Sequence, residues 1–147
     1  MDREGTVMQE VLGSLLMWAV SLSAYPEPED MPTLTPVTHS TLVDTLCDGR
    51  ECNALAYYEH KSSTIFYDEK MNLESSLTAK GFIVHELVHY LQDKAGKLAD
   101  TPLPCQTQMM LEREAYLVQK EFLREHHTMT YQVDMAIRLL GNVCGRR

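Results

Sequence analysis

The chain contains no Cys-x-x-Cys pair, which argues against a zinc ribbon or a thioredoxin-type redox site. It is also short of positive charge. Thirteen Lys and Arg stand against 21 Asp and Glu, a formal net charge of -8 with a pI near 5.1. A surface of that sign lacks the footprint that nucleic-acid phosphates require, so no DNA or RNA partner is expected. There is no glycine-rich phosphate loop and no serine-nucleophile motif. Internal repeats and low-complexity tracts are missing as well. The most apolar run, "VLGSLLMWAVSLSAY" from Val11 to Tyr25, has 15 residues, where a bilayer span needs about 20. No membrane span is expected from it. Small residues at its end resemble those of a secretory signal, but the preceding "MDREGT" is acidic where a signal is basic. Val7, Val11, Leu15, Trp18 and Leu22 recur at helical spacing, so the expectation is a first helix of the mature protein, packed on a core.

What is present is the material of one ordinary globular domain, 1–147. At 147 residues, 44% hydrophobic and 23% charged, the chain can bury a core without obligatory metal or disulfides. "YPEPEDMPTLTP" holds four of the six prolines and predicts an extended connector. A short helix is expected over about 40–46. "NALAYYEH" and "STIFYDE", rich in aromatic and β-branched residues and joined at "HKSS", predict an antiparallel hairpin, the one piece of sheet expected. Asn72, Ser75 and Ser76 offer N-caps for a helix to about Lys94, with Gly96 to end it. Two more helices follow, over about 106–125 with a stripe of Leu111, Ala115, Val118 and Phe122, and over about 130–143 with Val133, Ala136, Ile137 and Leu140. The fold class is α+β: a mainly helical domain with a small antiparallel sheet packed beside its central helix.

Cys47, Cys52, Cys105 and Cys144 are even in number. Cys47 and Cys52 bracket the turn-like "DGRE", which leaves Cys105 with Cys144 as the natural second pair among three connectivities. Two disulfides imply an oxidising, extracytoplasmic compartment, periplasmic or secreted. Four reduced thiols in the cytoplasm are the competing reading.

The chemistry lies in "AKGFIVHELVHYLQDKAG". Residues four apart share a face of a helix, so His85 and His89 can aim two imidazoles at one point. A catalytic zinc wants three protein ligands and an open position for water, which the intervening Glu86 would reach as general base. Ile83, Leu87, Tyr90 and Leu91 make the other, core-facing side. "LEREAY" follows with Glu112 and Glu114, the first after 22 intervening residues. Helical periodicity does not favour Glu112, since Glu114 lies nearer the middle of the apolar stripe, and by itself "ERE" reads as solvated helix charge.

"HELVH" with "EREA" resembles the zinc metallopeptidases of the gluzincin type, in particular the small single-domain minigluzincins, and the likeness covers roughly 54–125. It implies a zincin-like fold, a bound Zn2+ and peptide-bond hydrolysis of a peptide or protein substrate, endopeptidase rather than exopeptidase. In that family the third ligand is a glutamate on a following helix, with a small residue three places on. Glu112 with Ala115 matches, and Glu114 with Leu117 does not, so the resemblance implies His85, His89 and Glu112 as metal ligands. Many relatives carry an acid or amide four residues after that ligand, orienting a zinc histidine; this chain departs from the pattern with Tyr116. By the family's pattern, "STIFYDE" lies beside the cleft and can take a peptide by strand addition.

Gln92, three residues after His89, reads either as a residue behind the metal or as a helix-surface amide. Tyr116 and Tyr131 are both open as stabilisers of a tetrahedral oxyanion. His126 and His127 in "EHH" read as a solvated helix end, and His39 and His60 as lone loop or strand-end histidines. Two other function classes stay in view: a zinc-binding but non-hydrolytic recognition or regulatory module on the same fold, and a metal-free helical interaction protein in which the histidines are packing.

Overall fold

A computed structural model describes residues 3–99 and 102–144. Among these, five helices and three strands follow in the order α1 (Arg3–Leu22), β1 (Thr33–Val37), α2 (His39–Cys47), β2 (Ala56–Glu59), β3 (Thr64–Asp68), α3 (Leu77–Lys94), α4 (Cys105–Glu125) and α5 (Tyr131–Leu140). The class is α+β and mainly helical, as the sequence implies.

The hairpin forms as expected, with Tyr57 opposite Phe66 and Glu59 opposite Thr64. A third strand joins it where a bare connector is expected. β1, "TLTPV", pairs in parallel with β3, so the sheet is mixed, in the order β1-β3-β2. Proline composition argued against a strand there, but Pro36 lies on an edge, where alternate backbone N positions face outward and a missing N–H breaks no ladder. Backbone bonds from Thr33 N to Ser63 O (3.0 Å) and from Glu69 N to Val37 O (2.8 Å) secure the two ends.

α3 is the hub. Ser76 is its N-cap, its hydroxyl accepting from Ala79 N at 3.0 Å, while Asn72 Oδ1 organises the turn before it by accepting from Glu74 N and Ser75 N. Gly96, at φ +81°, turns the chain after the helix, and Lys97 N closes the end on Gln92 O. Ile83, Leu87, Tyr90 and Leu91 are all buried, as their spacing predicts. So are Leu111, Ala115, Val118 and Phe122 of α4. The two helices pack tightly at Gly81, where a Cβ would sit 3.1 Å from the Leu123 side chain and 3.6 Å from that of Gln119. Because residue 81 has no side chain, α4 can lie low on α3 one turn before His85.

α1 packs on α3 and α4, though its buried line runs through Leu12, Leu15, Leu16 and Ala19, with Val11, Trp18 and Leu22 half-buried beside it. The stretch Gly5–Leu22 is by length and composition sufficient to cross a membrane, longer than the 15-residue run suggests. In this fold one of its faces is core. Trp18 meets Phe122 edge-on at 5.8 Å and His126 at 4.8 Å. His126 is therefore half-buried against two aromatic rings, its Nδ1 donating to Phe122 O at 2.8 Å, and not the solvated end expected; His127 beside it is exposed. α5 stops at Leu140, three residues short of the expected end. Both disulfides, Cys47–Cys52 and Cys105–Cys144, form as the spacing implies.

Candidate metal centre

One turn of α3 separates His85 from His89, and α4 brings Glu112 across to both. His85 Nε2 lies 2.9 Å from Glu112 Oε1, and His89 Nε2 lies 3.2 Å from Glu112 Oε2. The three side chains offer ligand atoms within 4.8 Å of one another, a group that could hold a metal ion. Glu114 lies elsewhere: its Oε1 accepts from Tyr25 Oη (2.6 Å) and from Gln92 Nε2 (2.9 Å).

The outer nitrogens fix what the inner ones are. His85 Nδ1 donates to Gln119 Oε1 at 3.0 Å, and His89 Nδ1 donates to Gln92 Oε1 at 2.8 Å. The Gln92 amide is oriented by its other end, where Nε2 donates to Leu111 O and to Glu114. With Nδ1 protonated in both rings, each neutral imidazole presents a lone pair at Nε2, and those two lone pairs face a carboxylate. Three acceptors aimed at one point need a positive charge between them, a proton or a metal ion. His89 Nε2 is buried and makes no hydrogen bond, although Glu112 Oε2 stands 3.2 Å away. The donor set and this orphaned nitrogen both fit a cation.

The electrostatics agree. Burial works against a charged His89, but the facing Glu112 carboxylate and the charge of Glu86 prevail and lift it to about 9 in the metal-free protein. Burial would raise Glu112, yet the two histidines hold it far below the usual carboxylate range. Glu86 goes the other way. Its burial, reinforced by the neighbouring charge of Glu112, outweighs the two histidines and pushes it up.

A cleft of about 400 Å³ opens on this group. His85, Glu86, His89, Glu112 and Tyr116 form one wall and Ala56, Tyr57 and Tyr58 another. The wall strand is β2, not the expected β3, "STIFYDE": β3 is central, paired on both sides, and has no edge to offer. Asp68 N bonds to Leu55 O, so by alternation Ala56 and Tyr58 turn their main-chain groups outward. The Tyr58 N–H meets the Glu86 carboxylate there.

Of the two candidate tyrosines, Tyr116 lines this cleft, its ring edge-on to His85 at 4.3 Å. Tyr131 is exposed and lines a separate, mainly apolar pocket between α3, α4 and α5. Gln92 proves fully buried behind His89 and is no surface amide. Gln119, which holds His85, was not anticipated. Its signal was available: it falls seven residues, two helical turns, after Glu112, so both stand on the same side of α4. Tyr116, at the position where relatives of the resembled family orient a histidine, packs against the ring while Gln119 makes the hydrogen bond. His39 pairs with Glu51 and His60 approaches Asp93, both away from the centre. No protein-family model, no curated protein and no solved structure matches this chain.

Proposed function

We propose that the chain is a zinc-dependent peptidase, with His85, His89 and Glu112 as metal ligands and Glu86 as general base and acid. One observation carries this reading: the three ligand groups converge in the wall of a cleft that Glu86 also lines. Two imidazoles and a carboxylate, with a fourth position open, are a ligand set of catalytic zinc sites. A zinc ion held there supplies a Lewis acid for a carbonyl oxygen and makes water nucleophilic near neutral pH.

The remaining steps belong to side chains and backbone. Glu86 takes the proton of the attacking water and returns it to the departing amine. Tyr116, in the cleft and kept protonated by its burial and the nearby carboxylates, is the candidate donor to the developing oxyanion. The outward main-chain groups of Ala56 and the Tyr58 carbonyl on β2 suit an extended peptide laid along the cleft, while the Tyr58 N–H is taken by Glu86. Both disulfides belong to an oxidising compartment, and we assign the protein to the periplasm or the extracellular space.

The test is zinc content together with a peptide-library digest. Glu86→Gln is expected to keep stoichiometric zinc and lose turnover by about 10²–10⁴-fold, and His85→Ala to lose both. Undiminished cleavage by Glu86→Gln ends the proposal. Zinc bound by a wild-type protein that cleaves nothing leaves a recognition or regulatory module instead.

A further inference from the structure

Behind His89 two arms of hydrogen bonds converge on one carboxylate, that of Glu114. His89 Nδ1 donates to Gln92 Oε1 (2.8 Å), and Gln92 Nε2 donates to Glu114 Oε1 (2.9 Å). From the opposite side Lys97 Nζ donates to Tyr25 Oη (2.8 Å), and Tyr25 Oη donates to the same Glu114 oxygen (2.6 Å). Tyr25 belongs to the segment after α1, so the first helix is tied to the centre by this route.

We infer that Glu114 is a positioning residue for the metal centre: it locks the Gln92 amide with its oxygen toward His89, which keeps the His89 lone pair on Nε2, facing Glu112. An amide is nearly the same shape when turned end for end. Turned that way, Gln92 would set its oxygen against both Leu111 O and the Glu114 carboxylate, each now 2.9 Å from Nε2. Gln92 is 0% exposed, so no water would relieve that repulsion. The acceptor oxygen of Glu114, together with Leu111 O, thus selects one amide orientation, the amide selects one imidazole tautomer, and the tautomer decides whether Nε2 can be a ligand. His85 is held by Gln119 and has no link to Glu114. It is a control within the same site.

The inference rests on the reading that this group binds a metal ion, and the experiment separates the two. Zinc-loaded, ¹⁵N-labelled protein is examined by NMR for the Nδ1–H protons of His85 and His89, and zinc affinity is measured by chelator competition. Glu114→Met keeps the bulk and removes the acceptor. It is expected to lose or broaden the His89 proton, leave the His85 proton in place, and weaken zinc binding about 10-fold, the low end for residues behind a ligand. Glu114→Gln restores an oxygen acceptor and is expected to keep the His89 proton, with affinity within about 3-fold of wild type, well inside that range. Glu114→Ala replaces the methionine variant if that one fails to fold. Both protons and the affinity unchanged in Glu114→Met overturns the inference and leaves the metal site standing. Loss of both protons together shows general loosening and overturns it too. A wild-type protein that takes up no zinc removes the inference and the reading beneath it.

Discussion

Where α4 lies against α3, Ala115 and Phe122 are fully buried, and the polar Gln92 and Gln119 are 0% and 2% exposed, each bonded to a histidine. Where the same helix meets α5, Val133 is the one fully buried residue of α5, while Tyr131, Met135 and Leu139 stand one turn apart on an exposed face. That second contact relies on a Lys120–Asp134 ion pair at 2.8 Å and on the Cys105–Cys144 disulfide. One side of α4 is held by burial and the other by a staple. The difference shows where positional accuracy is concentrated. A group able to hold a metal ion needs side chains fixed to a fraction of an ångström, and His85, His89 and Glu112 stand where packing leaves few alternatives.

Mutation can break the comparison at either contact. Phe122→Ala, which empties space against Trp18, is expected to cost about 3–5 kcal/mol in chemical denaturation. Removing the Cys105–Cys144 bridge by paired serine substitutions is expected to cost about 2–4 kcal/mol, and removing Cys47–Cys52, whose loop is much shorter, about 2 kcal/mol. The Cys105/Cys144 variant should still bind zinc stoichiometrically, because no ligand depends on α5; loss of zinc there would erase the distinction between the two sides.

A pH series sharpens it further. His89 rises from 6.5 to about 9 on folding without metal. Its stabilising charge is therefore fully present below about 6.5 and is lost as pH climbs through 9. Melting of chelator-treated protein should show a decline over that window, on the order of 2 kcal/mol at most, since the effect is shared with Glu112. Zinc competes with the same proton, so the increment in melting temperature produced by zinc should grow over that window. The smallest effect belongs to the open face of α5: Leu139→Ser should change stability by no more than about 0.5 kcal/mol.

The helices were legible in the sequence because their signals are local: the 3.6-residue stripes of α3 and α4, the Ser76 cap and the Gly96 stop. The ligand group was legible for a related reason, since the His85–His89 spacing is a property of one helix. Choosing Glu112 over Glu114 needed the family resemblance, because both glutamates sit in one turn, and the geometry then gave each a different partner. What could not be read depends on contacts between distant segments. β1 is a strand because β3 has a free edge about 30 residues later, which no local pattern of Thr33–Val37 announces. Gln119 is an ordinary helix amide until Gly81 lets α4 settle beside His85. The choice of β2 over β3 as cleft wall is likewise decided by the order of strands, which neither strand's residues encode.

The bridge between Cys105 and Cys144 closes residues 105–144 into a covalent ring that includes Glu112 and Gln119. The exposed turn after α4, with Met129 at its tip, is the natural place for a proteolytic nick. A single cut there linearises the ring without releasing a fragment, so the severed ends stay tethered until a reductant arrives. Gel mobility of nicked protein with and without thiol would reveal this directly.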